Sequence, residues 1–393
     1  MTVRANKPAF NIREKLKELT HSIGLKGREL MRAATVQEAR YLVSAGRKNL
    51  IINGDMRIAQ RSTSANVPNA GGIGTVDRWN SWVNYISGVV VMSQETDAPA
   101  GFHKSLKVIR NDSSSTAQYF FIGQKIEAQS ISQLAIGTSS AKPITVSFWV
   151  KSNRLGTYNL EAIDDDGSHQ LIKQYKINTS GVWEYKTITF PPNTVGGVPT
   201  YDNTVGIEFN WWLSSNANTT YTSGSLTDSW AAYATNRRNV GGNAILDTGE
   251  YWMIAGVQVE AGKNATEFEH RSYGEELALC QRYFYRHATF TNGVGRGIGN
   301  ANRYTSPTAF GVVHFPVTMR ALPTLDVTNT TNGFQFYSAG SGQDFNTFSQ
   351  QETNYNTFTL ECSGLSGTGG LGGWWRTNPA AGSNSSVSFS AEL

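Results

Sequence analysis

The sequence predicts a mainly β protein with a short N-terminal helical anchor, a central jelly-roll β-sandwich and a smaller C-terminal β domain. Three observations carry this expectation. First, 39 Gly, 11% aromatic and only 16% charged residues, with abundant Asn, Ser and Thr, suit short strands joined by many turns. Second, apolar and polar residues alternate with period two from about Asn49 onward. Third, no long amphipathic helical pattern separates these runs, as an α/β fold would require.

The N-terminal segment differs from the rest. Residues 1–48 hold eleven Lys and Arg against four Glu, a net of +7; the whole chain carries +4, which leaves the other 345 residues at −3. Basic character therefore belongs to one end. Asn11 and Glu14 have capping-box spacing and Ile12, Leu16, Leu19 and Ile23 follow at helical spacing. A second box, Thr35 with Glu38, opens a short helix that carries Ala39, Leu42 and Val43 and ends near Gly46. Neither helix is long enough to hold alone in water, so each must lay its stripe on sister chains or on another protein. Phe10, Ile12, Leu16, Leu19 and Ile23 are the expected docking residues. The plainer alternative is a solvated arm with fraying helices. Cationic segments also attract phosphate, but apolar stripes between the cations fit a protein partner better than nucleic acid.

In the run 144–150, Ile144, Val146, Phe148 and Val150 point one way and Thr145, Ser147 and Trp149 the other. Further strands are predicted at 106–110, 118–125, 158–163, 171–177, 183–190, 205–212 and 251–260, with Asp166 and Gly167 in a hairpin turn. These make up the central domain, 49–277. A short helix over 273–285, favoured at its start by Glu275 and Glu276, links it to the C-terminal domain, 278–393. There, strands are predicted at 308–315, 324–328, 333–337, 357–362 and 387–393.

Catalytic templates fail in turn. Neither a G-x-S-x-G elbow nor a Walker A loop is present. Gly293, Gly295, Gly297 and Gly299 imitate a nucleotide fingerprint, but Ile298 stands where the third glycine belongs, and the stretch reads as a flexible loop. The six histidines show no metal-binding spacing, and Cys280 and Cys362 are expected to be free thiols made in a reducing cytoplasm. No cofactor is expected. Asp164 and Asp166 are weak calcium candidates, although a hairpin turn that favours Asp-Gly explains their crowding. No leader of basic then apolar residues is recognised, and no apolar run approaches the roughly 20 residues of a membrane span. Neither export nor membrane insertion is therefore expected.

Tryptophan gives a more positive signal. Trp211 and Trp212 are adjacent on a predicted strand, so one must point outward, as must one of Trp374 and Trp375 if that stretch is extended. Exposed rings suit sugar faces or protein partners, which makes these four the glycan-binding candidates. For any single Trp, core packing remains the commoner role.

The segment Asn49-Leu-Ile-Ile-Asn-Gly-Asp-Met56, with Arg57, Gln60 and Arg61 and then Asp77, Arg78 and Trp79, is similar to the start of a known type of domain. Gly256 to Gly262, followed by Ala265 to Phe268, Tyr273 and the stretch from Cys280 to Phe284, is similar to its end. Together with the arm from Asn6 to Glu14, these stretches resemble the tail-fibre and receptor-binding proteins of tailed bacteriophages, particularly those whose distal part is similar to a carbohydrate-binding jelly roll. The resemblance brackets about two thirds of the chain. It implies a virion structural protein, usually a homotrimer, with no fixed catalytic residues. Such a chain would be made in the host cytoplasm, dock on other tail or virion proteins through residues 1–48, and bind a host surface glycan or protein receptor. Three alternatives stay open: a capsid or neck fibre without a receptor, a bacterial sugar-binding module, and a surface-polysaccharide depolymerase. For the last, Asp164, Asp166, Asp202 and Glu208 are the first suspects.

Overall fold

Strand β6 (Ile144–Ser152) shows why the central part folds in two layers. Its residues Ile144, Val146, Phe148 and Val150 are fully buried, and Trp149, on the other face, is half-buried. One face of the sheet must therefore be covered by another sheet. The structure, a computed structural model, describes residues 47–393 apart from 68–71, 86–89, 112–116, 165–167, 216–218, 243–246, 291–293, 329–330 and 381–384. The docking residues Phe10, Ile12, Leu16, Leu19 and Ile23 and the calcium candidate Asp166 lie outside the described residues.

The first sheet runs in the order β1 (Ser64–Asn66), β3 (Val90–Glu95), β4 (Ser105–Arg110), β12 (Tyr251–Ala261), β6 and β9 (Glu184–Phe190). The second runs β11 (Ala231–Ala232), β8 (His169–Ile177), β7 (Gly156–Asp164), β10 (Val205–Ser214), β5 (Ala117–Glu127) and β2 (Asn80–Tyr85). Pairing is antiparallel throughout, and β7 and β8 pair as far as Asp164 opposite His169; the expected turn residues 166 and 167 lie outside the described residues. Aromatic rings key the two layers together. Trp211 of β10 meets Phe148 of β6 edge to face at 5.6 Å and lies 5.5 Å from Trp79.

Helix α1 (Tyr273–Gln281) begins with a reciprocal capping box between Ser272 and Glu275. It is shorter than predicted because the chain enters β13 (Phe284–Thr289) soon afterwards. A three-stranded sheet, β13, β22 (Ser386–Ser390) and β16 (Thr324–Thr328), follows. It accompanies a seven-stranded sheet in the order β18 (Ser341–Phe345), β17 (Phe334–Ser338), β21 (Gly372–Thr377), β14 (Gly297–Arg303), β15 (Ala309–His314), β20 (Thr357–Cys362) and β19 (Ser349–Thr353). Phe334, Phe336, Phe358, Trp375 and Phe389 belong to a second core distinct from that of the sandwich, yet residues 50–393 form one compact unit. One expectation is corrected here. Gly297 and Gly299 are not in a flexible loop; β14 starts at Gly297, and the two glycines pair with Arg376 and Trp375 of β21, so backbone pairing orders a stretch that has no side chains to pack.

The two ends of the family-like pattern meet at the junction between these cores. Asn53 adopts φ 59°, and its side chain donates to the carbonyls of Ile58 (2.8 Å) and Asp77 (2.9 Å) and accepts from the Ile58 N–H (3.0 Å). Its own carbonyl accepts from Trp79 Nε1 at 3.0 Å, and its N–H donates to Glu276 of α1. Arg78 is buried beside it. The guanidinium donates to the Lys125 carbonyl (2.8 Å) and to the Glu392 carboxylate, and lies 3.5 Å from the Tyr283 ring centroid. Glu127, at the end of β5, accepts from Arg282 (2.9 Å) and from the Tyr283 hydroxyl. Burial pushes the Glu127 carboxyl up, but hydrogen bonds from Arg282, Tyr283 and Gln129, with the Arg282 charge, outweigh it and hold it below its ordinary value.

Two outcomes follow. Asn53→Ala removes three buried hydrogen bonds and places a Cβ-bearing residue that lacks Asn's local bonding at positive φ. Unfolding by urea should show a loss of about 3 kcal/mol, and a loss below about 1 kcal/mol would contradict this role. Because the Glu127 pKa is depressed in the fold, its contribution is full above its ordinary 4.5 and is lost as pH falls from there through the lower folded value. Stability measured from pH 7 to 3 should therefore fall less steeply in Glu127→Gln than in the native chain.

Candidate functional site

The outer face of the second sheet carries aromatic residues in register. Trp82 of β2 pairs with Phe121 of β5, Phe121 with Trp212 of β10, Trp212 with Asn159 of β7, and Asn159 with Gln174 of β8. Because side chains alternate, cross-strand partners on one face stand side by side. Trp82 stacks on Phe121 at 5.1 Å and 17°, and Phe121 lies 4.7 Å from Trp212. Tyr119, two residues before Phe121 and therefore on the same face, meets Tyr221 at 5.2 Å. Towards the other end, Lys125 and Glu208 form a polar pair of partners in the same ladder.

Beneath the groove lies a buried ion pair. Glu161 of β7, fully buried, accepts from Arg238 Nε and Nη2 at 2.8 Å each, from Trp212 Nε1 at 2.9 Å and from Asn210 at 3.3 Å. The Arg238 guanidinium lies 4.7 Å from the Phe121 centroid and 4.8 Å from that of Trp212. Burial opposes its charge, and the Glu161 carboxylate more than compensates, so the Arg238 pKa is raised. Burial likewise pushes the Tyr221 phenol up, with Tyr119 adding to the effect. The resulting cavity of about 530 Å³ is lined by Trp82, Tyr119, Tyr221 and Tyr233 as ring surfaces and by Lys125, Glu208 and Arg238 as polar ones. That size falls within the usual range for small-ligand clefts.

The sequence candidates fare differently. Trp211, Trp212 and Trp375 are fully buried, and only Trp374 is exposed, at 37%. Trp212 does leave the core, as alternation along β10 requires, but its ring is not exposed, because Arg238 and Tyr221 cover it. Trp374 lies away from the groove on the seven-stranded sheet, 5.8 Å from Tyr337, with Arg376 over both rings. Asp164 accepts from Asn193 at 2.8 Å, and Asp202 accepts from the Thr204 N–H at 2.8 Å in a local turn. Neither lines the groove, whereas Glu208 does. Among the described residues no group of three His, Cys, Asp or Glu side chains could hold a metal ion. Sequence reasoning missed Trp82, Tyr119, Tyr221, Tyr233 and Arg238. A signal was present in the run Gln118 to Lys125, where Tyr119 and Phe121 alternate with Phe120 and Ile122, so both faces are apolar.

No family model matches the chain, and no curated protein matches it. Solved structures similar to it include the enzymatically active domain of tailspike protein 4 from bacteriophage CBA120, at 13% identity and a TM-score of 0.30, covering 54% of this chain and 21% of that one. A CBM4 structure aligns at 12% identity and a TM-score of 0.28, covering 53% of this chain and 97% of that one. The C-terminal family 22 carbohydrate-binding module of Clostridium thermocellum Xyn10B aligns at 9% and 0.28, covering 51% and 96%. Likenesses this remote match no residue of this chain to a residue of theirs.

The ion pair is the part of the groove most open to test. Glu161→Gln leaves the Arg238 charge buried without its partner, and the expected cost is about 3 kcal/mol. Thermal unfolding of the variant checks this; an unchanged midpoint would mean that Arg238 finds water instead.

Proposed function

We propose that the sandwich is a glycan-binding module whose ligand lies in this groove. In this reading the chain is a non-catalytic virion component of tail-fibre type that uses the module to attach to a host surface. The supporting observation is the row of half-exposed rings, Trp82, Tyr119 and Tyr221, beside the polar groups of Lys125, Glu208 and Arg238. A pyranose has the complementary character, with C–H faces that pack on rings and hydroxyls that seek hydrogen bonds at its edges. Arg238 is fixed by Glu161 before any ligand arrives, so little side-chain freedom remains to be lost on binding.

Binding without turnover is favoured because Glu161 is committed to four N–H donors, whereas glycoside hydrolysis needs two carboxyl groups facing the scissile bond. The virion role rests on the resemblance of the arm and of the two domain ends. In it, residues 1–48 dock on tail proteins and three chains assemble, so that weak contacts combine into tight attachment. The rival reading, a capsid or neck fibre, shares the docking segment but has no use for the groove.

The test is an array of bacterial surface polysaccharides probed with the full chain and with its Trp82→Ala and Tyr119→Ala variants. Each variant should bind about tenfold more weakly while still melting cooperatively well above the assay temperature. Equal binding by all three removes the groove from recognition, and release of reducing ends by the native chain would replace binding with depolymerisation.

A further inference from the structure

A second groove opens on the outer face of the other sheet, built by an irregularity in β12. Pairing of β12 with β6 runs to Ala255 opposite Trp149 and resumes at Gln258 opposite Ser147, so Gly256 and Val257 form a bulge. Gly256 takes φ 60°, and the Phe102 ring rests against it so closely that a Cβ there would lie 2.5 Å from a ring carbon. Only glycine gives the ring that seat. Phe102 then meets Phe268 edge to face at 5.0 Å and stands 5.4 Å from His270, which makes one wall. The opposite wall is the cross-strand pair Trp149 and Tyr185, at 5.3 Å and 51°, with Tyr185 46% exposed. Ser147 and Thr187, themselves cross-strand partners, lie between the walls, and the cavity measures about 890 Å³.

We propose that this groove is a second glycan-binding site, so that one sandwich can hold polysaccharide on both faces. This rests on the same glycan reading as the first groove but on separate residues. Of the strands that line the groove, β6 and β12 are interior with partners on each side and only β9 is at the sheet's edge; a peptide added there as a strand would extend the sheet in its plane and lie outside the groove on its face. What the groove offers instead is ring faces on two sides and the exposed hydroxyl-bearing side chain of Thr187, with Thr266 and Glu267 also lining the cavity. Those surfaces complement the faces and edges of a pyranose, as in the first groove. A bulge that re-aims a strand beside a cavity is a common way to build such a site.

The experiment follows the indole N–H resonances of the ¹⁵N-labelled full chain, with Trp149 and Trp82 assigned by loss of signal in their Trp→Phe variants. The probes are xylohexaose, cellohexaose and O-polysaccharides released by mild acid from bacterial lipopolysaccharides. Both resonances should shift with at least one probe, and Tyr185→Ser should weaken the Trp149 response about tenfold while leaving that of Trp82 intact, which also reports that the variant is folded. A response of Trp82 with none at Trp149 overturns the second site and leaves the first standing. A response at Trp149 alone keeps the second site and removes the first, and silence at both with every probe overturns both.

Discussion

A buried guanidinium holds the two halves of residues 50–393 together, and it cannot be left unpaired. Arg78 is only 3% exposed, and its charge is met by the Glu392 carboxylate, by the Lys125 carbonyl and by the face of Tyr283. A charge stripped of water demands such partners, since losing one typically costs several kcal/mol. The partners come from β5, from the turn between α1 and β13 and from the last residues of the chain, so the cation fixes three distant segments at once. Arg320 closes the same junction from the other side, donating to the carbonyls of Ala391, Glu392 and Asn203.

The clasp also reaches the groove. Arg78 grips the carbonyl of Lys125, and Glu127 two residues later is held by Arg282 and Tyr283. Tyr119, Phe121 and Lys125, outward residues of the same strand, line the groove, and Gly123 shares their face. Gly123 is required there, because a Cβ would lie 2.2 Å from the Phe209 carbonyl and 2.3 Å from Asn210 Oδ1. Fixing the end of β5 therefore fixes the spacing between the rings and the Glu161–Arg238 pair. Precision at a binding face is more easily kept on strands tied at their ends than on loops.

Much of the fold was legible because burial on one face imposes period two. The predicted strands at 324–328 and 357–362 coincide with β16 and β20, and those of the central domain differ from the observed ones by only a few residues. Strands β1, β2, β3, β11, β13, β14, β18, β19 and β21 were missed for a physical reason. Their stability comes from neighbours in the sheet, and runs such as Asn80 to Tyr85 mix polar and apolar residues on both faces. The groove was illegible for a related reason. Trp82 sits on one of the missed strands, and Tyr221, Tyr233 and Arg238 arrive from a segment with little regular structure. The adjacent pair Trp211 and Trp212 did announce an outward ring, but only the fold reveals that Arg238 covers it. The family-like stretches were legible as a pattern without being legible as chemistry: Asn53, Arg78 and Asp77 serve the junction, not a ligand.

Parity explains why both grooves lie where they do. A strand in a two-layer sandwich surrenders one face to the core, so a groove on the sheet itself can use only the other, and a slip of one residue would exchange the two sets. In β10 a one-residue slip would send Trp211 outward and Trp212 into the core. Register shifts at each end of its pairing with β5, between Val205 and Ile207 and between Trp212 and Ser214, bound the regular stretch that carries the rung. Gly206 at the first of these cannot accept a side chain, since a Cβ would lie 2.5 Å from the Ala128 α-carbon. The bulge in β12 has the same effect on the other sheet, where it seats Phe102 over Gly256. Each irregularity interrupts a ladder locally; the shift between Trp212 and Ser214 and the bulge at Gly256 stand beside outward aromatic rings, and the shift between Val205 and Ile207 stands beside the polar pair Glu208 and Lys125.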